Sequence, residues 1–246
     1  MDGHGAGRFA QVKVWIAERA AESGEPVSVG LLCATAVARL GMSGAALTMG
    51  NSAGWPETRF VTDDRSAQLA ELQVTVGEGP CMDALRDGGP VLIADLAATG
   101  GQRRWPLFAP PAVEAGAGAL FAFPMCVGAI RVGVLALHRV SAGHLGSAVL
   151  SDAVVFADLA MGLLLDERDG RYAGEPDGAP LLTSQVHQAT GMVAAQLDLG
   201  MADAFARLRA RAFRDQRPLH LLAADVVARR LRFQHDGRDR RGGEQV

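Results

Sequence analysis

Apolar residues recur at every third or fourth position in several long segments, and this spacing predicts helices there. The clearest patterns cover Phe9–Ala21, a segment that opens at Pro26, and Ser147–Leu165. A proline at the start of a helix is favourable because an N–H at that position would have no partner in the helix. Shorter helical patterns fall at Ser66–Gln73 and after Pro80. Helices are therefore expected at both ends of the body of the chain and within it.

Short runs of apolar and β-branched residues separate these helices, and such runs are typical of strands. Five of them read, in chain order, SGAALTMG, TRFVT, PVLIADL, GALFAFPMCV and IRVGVLALHRV. The last two are joined through Gly128, which favours an antiparallel pair. Strands mixed with short helices, between longer helices at each end, predict an α+β domain with a mostly antiparallel sheet.

The segment Leu182–Leu231 shows only the helical period, and it predicts three consecutive helices. The first covers about Thr183–Leu197 and the second about Ala202–Arg214, with Gly200 between them, and the third starts near Pro218. Three helices in about 50 residues can enclose one small core. We therefore expect the tail to be a separate all-α unit.

Composition is that of an ordinary globular protein. Of the 246 residues, 49% are hydrophobic and 21% are charged, which is enough apolar material for a sizeable core. The apolar runs fall short of the roughly 18–20 residues that a membrane span needs. The start of the chain also lacks the basic and apolar regions of a secretory signal. These features lead us to expect a cytoplasmic protein without membrane contact.

The three cysteines, Cys33, Cys81 and Cys126, are odd in number and show no metal-binding spacing. We expect reduced thiols. Cys81 follows Pro80 at a helix start, where the helix dipole can lower a thiol pKa, and this makes Cys81 a candidate redox sensor. The alternative is an inert buried thiol. Cys126 falls on a predicted core strand, where we expect it to be inert.

The body of the chain offers little catalytic chemistry. The glycines of VGEGP precede a helix and could hold a phosphate on backbone N–H groups. The spacing matches no phosphate-binding motif and Glu78 would repel an anion, so a tight turn with positive φ at Gly77 or Gly79 is preferred. His138 and His144 could bind metal or haem, but neither has a partner at ligand spacing. We expect no enzymatic activity, and we assign no cofactor.

Charge is distributed unevenly along the chain. The net charge of −3 combines −7 over residues 1–180, from 13 basic and 20 acidic residues, with +4 over residues 181–246, from 11 arginines and 7 acids. A basic tail behind an acidic body suggests an anionic partner for the tail. The preference for arginine carries less weight, because Lys13 is the only lysine in the chain.

The stretch DERDGRYAGEPDGAP, at residues 166–180, is rich in charge, glycine and proline and is typical of a linker. It divides the chain into segments. We predict an N-terminal helix at 1–25, a sensor-sized domain at 26–166, a linker at 167–180, a three-helix domain at 181–234 and a disordered basic tail at 235–246.

Two stretches of the body, VGEGPCMDALRDGGPVLIADL and AGAGALFAFPMCVGAIRVGVLALHRV, resemble the middle and end of a GAF domain. The shared features are the Gly-x-Gly turn into a short helix, the strand that ends in ADL, and the paired terminal strands. The resemblance covers Pro26–Leu165 and implies a GAF-like antiparallel sheet flanked by helices. It also implies a sensor or dimerisation role, with a small molecule as a candidate ligand. A GAF-type sulfoxide reductase that uses closely placed cysteines is an alternative.

The tail resembles the ANTAR domain, a three-helix RNA-binding unit of bacterial transcription antitermination regulators. The resemblance is carried by Gln188–Met192, Ala204-Phe205, Leu208-Arg209, Ala212, Arg217, Leu219 and Ala223–Val227. Thr190 stands where that family often has lysine. A GAF domain followed by an ANTAR domain is an arrangement of actinobacterial regulators, and it implies binding to RNA hairpins in nascent transcripts and prevention of termination.

The RNA contacts expected of such a unit are arginines that meet phosphates or stack on bases, and polar side chains that read base edges. The candidates are Gln188, Thr190, Arg209, Arg211, Arg214, Gln216 and Arg217. Apolar stripes on the Phe9–Ala21 and Ser147–Leu165 helices predict a homodimer. The alternative function is a small-molecule or redox sensor whose helical tail only dimerises.

Overall fold

The computed structural model of the protein describes residues 3–50, 56–168 and 180–234. The chain divides into two compact units, one ending at Pro180 and the other beginning at Leu181. The helices in the described residues are α1 (Gly3–Ser23), α2 (Val29–Leu40), α3 (Asp64–Val76), α4 (Pro80–Asp87), α5 (Thr99–Arg104), α6 (Ala109–Glu114), α7 (Ser147–Arg168), α8 (Pro180–Leu197), α9 (Met201–Arg214) and α10 (Leu219–Val227). The strands are β1 (Gly44–Gly50), β2 (Pro56–Val61), β3 (Val91–Ile93), β4 (Ala119–Val127) and β5 (Ile130–Arg139).

The first unit is built on an antiparallel sheet with the strand order β2-β1-β5-β4-β3. The five strands expected from the sequence are all present, and the predicted antiparallel pairing of β4 with β5 is confirmed. Gly128 turns the chain between these two strands with a φ of 60°. The α+β class is therefore confirmed for this unit.

The sheet is buried on both faces, and alternate residues along each strand divide between two cores. On β1, Leu47 packs into the core beneath α1, α2 and α7, while Ala46 points into the opposite core. On β4, Phe121 and Phe123 belong to the first core and Leu120 to the second. This division follows from the two-residue period of a strand, and it explains why these strands have few polar positions.

Helices α3 to α6 cover the second face of the sheet. Their buried side chains include Leu69 of α3, Ala84 of α4 and Phe108 beside α6. The connection from α3 to α4 is the VGEGP turn, where Gly77 has a φ of 77° and Gly79 a φ of 134°. The preference for a tight turn with positive φ is therefore confirmed, since side chains other than glycine rarely adopt these values.

A buried carboxylate links α4 to α5. Asp83 is 5% exposed, and its Oδ2 accepts hydrogen bonds from the Trp105 indole Nε1 at 3.1 Å and from Arg104 Nε at 2.9 Å. Its Oδ1 accepts from Arg86. Since Trp105 is 1% exposed, its N–H has no access to solvent and depends on this carboxylate. The network fixes α4 over the second core.

Helix α7 corrects one expectation. Its segment Ser147–Asp166 is long and apolar enough to span a membrane by length and composition, although the sequence had been expected to contain no such run. One helix of this kind is weak evidence for a span, because core helices pass the same test. The inner side of α7 lies in the first core through Phe156, Ala160 and Leu164, which accounts for the apolarity of that side.

The ends of the first unit differ from the predicted boundaries. Helix α1 is longer than expected and packs into the first core through Val12 and Ile16, so it is part of this unit and not a separate segment. Helix α7 continues to Arg168 and α8 begins at Pro180, which leaves less of the predicted linker outside helices. Residues 169–179 of that linker and the predicted disordered tail at 235–246 lie outside the described residues.

The second unit contains the three helices expected from the sequence. Its core is apolar and small, and it is formed by Ala189, Val193, Leu197, Ala204, Phe205, Leu208, Ala212, Leu219, Leu222, Ala223 and Val226. After α10, the N–H of Phe233 donates to Gln196 Oε1 at 2.8 Å, which ties the segment after α10 to α8. The periodic spacing of small and large apolar residues is therefore what encloses this core.

Candidate nucleic-acid interface

The candidate site lies around the turn between α9 and α10. Helix α9 ends at Arg214 and α10 begins at Leu219. Within the turn, Gln216 has a φ of 51°, a left-handed conformation that is uncommon outside glycine. The N–H of Arg217 donates to the Ala212 carbonyl at 3.0 Å, and this closes the end of α9. Gln216 is exposed, so the turn presents its amide to solvent.

Asp215 joins two of the candidate arginines. Its carboxylate accepts from Arg211, four residues earlier, and from Arg214 Nε at 3.1 Å. The hydrogen bond from Arg211 lowers the pKa of Asp215, with Arg214 adding to the effect, so the carboxylate is ionised at neutral pH. The Arg214 side chain is 66% exposed and remains available to a ligand despite this contact.

Asp225 of α10 joins a second pair. Its Oδ2 accepts from Arg217 at 2.6 Å and its Oδ1 from Arg230 at 2.7 Å. The hydrogen bonds from Arg217 and then Arg230 lower the pKa of Asp225. Both arginines are exposed, with 41% and 65% of the side-chain surface accessible. Asp225 therefore holds the guanidinium groups of both arginines in place, and its single negative charge leaves the group of three with a net positive charge.

These contacts produce a surface of excess positive charge. Residues 185–234 contain eight arginines and four aspartates, which leaves four positive charges. Four of the arginines are paired with Asp215, which follows α9, or with Asp225, which lies on α10. These arginines are chemically suited to an anion with several charges, because guanidinium groups donate in a planar fork that matches phosphate oxygens.

Arg209 lies further back on α9 and is half-buried. Its guanidinium is 5.7 Å from the centre of the Phe205 ring, and burial lowers its pKa. Phe213 follows one turn later on the same side of α9, and 48% of its surface is exposed. An exposed aromatic ring near arginines is the arrangement on which unpaired bases stack.

The two candidates on α8 have different environments. Gln188 is exposed on α8. Thr190 is fully buried, and its hydroxyl donates to the Val186 carbonyl at 2.7 Å. The structure therefore contradicts the prediction that Thr190 contacts RNA, because its one hydroxyl proton is used inside the helix and its surface is not accessible. Thr190 is a packing residue of the three-helix core.

Sequence reasoning missed two residues of this surface. Arg230 joins the cluster because Asp225, five residues before it, accepts its hydrogen bond. Phe213 lies on α9 and points to solvent. The helical period alone could have indicated Phe213, since it falls outside the stripe formed by Phe205, Leu208 and Ala212.

The environment of Cys81 favours the alternative of an inert buried thiol over a redox sensor. Cys81 is buried, and its backbone N–H donates to Gln73 Oε1 at 2.7 Å while its Sγ accepts from Gln73 Nε2 at 3.2 Å. Burial raises the pKa of the thiol to about 12, which outweighs any effect of the helix start. Cys126, in contrast, was expected in the core but is exposed, because the register shifts between Met125 and Cys126 at the end of β4.

Metal chemistry finds no support in the described residues. Within 3–50, 56–168 and 180–234 there is no group of three histidine, cysteine or acidic residues that could hold a metal ion. His144 is exposed on the loop before α7, and His138 is buried at the end of β5. The two histidines that had been considered as ligands therefore have unlike environments.

Comparison with known proteins assigns both units. The profile of the ANTAR domain family matches residues 183–227, which span α8 to α10. No curated protein matches the chain. Among solved structures, the chain is similar to the GAF domain of a phosphoenolpyruvate-protein phosphotransferase from Coxiella burnetii, with 14% identity and a TM-score of 0.51 over 67% of this chain and 99% of that one.

Two further GAF domains are more distant. The one from an Acinetobacter phosphoenolpyruvate-protein phosphotransferase has 11% identity and a TM-score of 0.47, over 70% of this chain and 100% of that one. The GAF-B domain of DevS from Mycobacterium smegmatis has 20% identity and a TM-score of 0.42, over 58% of this chain and 93% of that one. The Coxiella burnetii structure alone of these three is close enough to support an assignment, and it supports the fold only. Residues 183–227 are therefore an ANTAR domain, and they follow a unit with the GAF fold.

Proposed function

We propose that the chain is a cytoplasmic, signal-responsive regulator whose ANTAR domain binds RNA hairpins in nascent transcripts and prevents transcription termination. The observation that carries this proposal is the match of the ANTAR family to the three helices that hold the arginine cluster. The unit with the GAF fold acts as the sensor and as a dimerisation unit. No catalytic step is part of this function.

The surface that carries the arginines paired with Asp215 and Asp225 is the part of the ANTAR domain that meets RNA. Contacts to phosphates come from four arginines, namely Arg211, Arg214, Arg217 and Arg230. The affinity for RNA falls as salt rises, because binding releases counterions from the phosphates. The exposed ring of Phe213 accepts an unpaired loop base by stacking. Gln188 and Gln216 are exposed and can read base edges, which makes a loop a better target than a uniform duplex.

The proposal is tested by titrating the full chain with a fluorescent RNA hairpin at several salt concentrations. We expect binding to weaken linearly in a plot of log affinity against log salt. Replacing both Arg214→Ala and Arg217→Ala should weaken binding at every salt concentration and reduce the slope by about 2, one for each lost charge. Absence of binding by the wild-type chain even at low salt contradicts the proposal.

A matched control removes the same charge elsewhere. Arg59 of β2 and Arg103 of α5 are both exposed in the first unit. Arg59→Ala with Arg103→Ala should leave affinity and slope unchanged, whereas equal losses in both double variants would mean that only net charge matters. A duplex of the same length without a loop should bind more weakly than the hairpin.

Dimerisation is proposed for α1 and α7, which lie side by side. Arg8 of α1 pairs with Asp152 of α7 at 2.6 Å, and both helices carry exposed apolar side chains. These are Phe9, Val14, Val154 and Leu165. Sedimentation should show a dimer that dissociates when Val14→Glu and Val154→Glu are combined, and a wild-type monomer at micromolar concentration contradicts this part of the proposal.

An alternative function is favoured by the apolar surface of the tail itself. Met201, Phe213 and Leu221 are each more than 40% exposed, as expected if α9 and α10 met a second copy of the chain. In that case the tail would dimerise without binding RNA. Two measurements distinguish the alternative. It is supported if the wild-type chain binds no RNA hairpin and the Phe213→Glu variant no longer dimerises.

A further inference from the structure

Two arginines of the proposed RNA surface are held by one carboxylate of α10. Asp225 Oδ2 accepts from Nη2 of Arg217 at 2.6 Å, and Asp225 Oδ1 accepts from Nε of Arg230 at 2.7 Å. Arg217 precedes α10 and Arg230 follows it, so the two arginines come to Asp225 from opposite ends of the helix. We call these three side chains the Asp225 cluster.

The backbone beyond two helix ends brings both arginines to Asp225. Each arginine follows a residue in the left-handed conformation, Gln216 with a φ of 51° before Arg217 and Arg229 with a φ of 59° before Arg230. Such values are uncommon outside glycine. The N–H of Arg230 also donates to the Asp225 carbonyl at 2.8 Å, so backbone and side chain tie it to the same residue. The cluster therefore depends on how α9 and α10 end, as well as on two long side chains.

Charge and position give Asp225 opposite effects on the affinity for RNA. Its negative charge repels a polyanion, which lowers affinity. Its hydrogen bonds hold two arginine side chains that would otherwise lose rotamer freedom only when a ligand binds, which raises affinity. The carboxylate also offsets the repulsion between the two guanidinium groups, so they stay side by side before RNA arrives. Both side chains remain exposed and can still donate to phosphates.

We propose that Asp225 is a positioning residue of the RNA surface, which holds Arg217 and Arg230 as a preformed pair for two phosphates of a folded RNA backbone and thereby favours a hairpin over a uniform duplex. A pair at a fixed spacing fits phosphates at a matching spacing, whereas two independent arginines adapt to any phosphates. The inference rests on the proposed RNA binding. It goes further because it gives an acidic residue a favourable part in binding an anion.

The test compares two variants of the full chain that each remove one negative charge. Asp225→Asn removes the charge that holds the two arginines. Asp203→Asn is the matched control, because Asp203 is exposed in the first turn of α9 and forms no ion pair within the described residues. Each variant and the wild-type chain are titrated with the fluorescent RNA hairpin and with a duplex of the same length without a loop.

The two variants should differ in the sign of their effect. We expect Asp225→Asn to bind the hairpin about three-fold or more weakly than the wild-type chain, which is the scale of two exposed ion pairs, although its net charge is more positive. Its affinity for the duplex should be unchanged or higher. Asp203→Asn should leave the affinity for the hairpin unchanged or raise it.

Unchanged or tighter hairpin binding by Asp225→Asn overturns the proposal. Equal losses for hairpin and duplex also overturn it, since a residue that only stabilises the fold would have that effect. If the wild-type chain binds no hairpin, the proposed function itself fails. Hairpin binding by the wild-type chain with no loss in Asp225→Asn contradicts this inference alone.

A second measurement leaves Asp225 in place. If Arg217 and Arg230 act as a pair, Arg217→Gln and Arg230→Gln each break it. The double variant should then lose less hairpin affinity, in free energy, than the two single losses added together. Strictly additive losses overturn the proposal, because the two arginines would then contact RNA independently.

Discussion

Replacing the buried carboxylate of Asp83 is expected to destabilise the unit with the GAF fold by a magnitude that follows from its partners. In Asp83→Ala the Trp105 indole N–H loses its acceptor while it stays buried, which costs about 1–3 kcal/mol. The pair with Arg104 contributes only about 0.2–1 kcal/mol, because this arginine side chain is 49% exposed, and the pair with Arg86, which is 67% exposed, adds little. The expected loss is about 1.2–4 kcal/mol.

Two further variants separate these contributions. Asp83→Asn keeps an oxygen for Trp105 but removes the charge, so it should cost less than the alanine variant, by about 1–2 kcal/mol. Asp87→Ala on the same helix also removes a partner of Arg86, but Asp87 is 55% exposed, so its loss should be below about 0.5 kcal/mol.

Urea unfolding followed by tryptophan fluorescence is the suitable assay, because all three tryptophans precede residue 180 and report on the first unit alone. The slope of the transition should be unchanged, so that a shift in midpoint is a change in stability. The reasoning about the buried indole is refuted if Asp83→Asn is as destabilising as Asp83→Ala, or if Asp87→Ala matches either of them.

Three other outcomes follow from the same structure. A thiol reagent at neutral pH should modify the exposed Cys126 rapidly. Cys81 should react only on unfolding, because burial raises its pKa to about 12. Mass spectrometry of the native chain after treatment distinguishes the two cysteines. Burial lowers the pKa of His138 below its usual 6.5, so below that pH the unfolded state takes up a proton that the folded state does not. The free energy of unfolding should therefore fall as the pH drops below 6.5, by at most about 1.4 kcal/mol per pH unit. Urea titrations at several pH values should show a shallower fall in His138→Gln. Gly44→Ala should lower the free energy of unfolding by about 1–3 kcal/mol, because the added methyl overpacks the site. Gly50→Ala on the same strand should be tolerated, because its added methyl would lie 3.7 Å from its nearest neighbour. Equal urea midpoints for the two variants contradict this prediction.

The elements of the fold could be predicted because their signals are local. The two-residue period of GALFAFPMCV and the three-to-four-residue period of the tail are properties of adjacent positions, and each corresponds to an observed element. The positive φ at Gly77 and Gly79 was predictable for the same reason, since the turn they form is set within the stretch VGEGP.

The chemistry of individual side chains could not be predicted in this way. Thr190 was assigned to an RNA surface by its place in a family pattern, but packing of the three helices puts it inside. Cys81 has the helix start that lowers a thiol pKa, yet burial under the sheet raises it instead. In both cases the deciding quantity is exposure, which depends on neighbours that come from other elements.

By itself, the sequence determined the two-unit organisation, the antiparallel sheet, the three helices of the tail and the excess of arginine at the end of the chain. The tertiary structure alone decided which arginines share an aspartate, as Arg217 and Arg230 share Asp225. It also decided that, within the described residues, Nε2 of His138 is buried in the first unit without a hydrogen-bond partner. Ser66 and His138 are 72 residues apart, and no local pattern brings them together. Periodicity is encoded between adjacent residues, whereas a hydrogen bond across elements requires the register of strands and the packing of helices to be settled first.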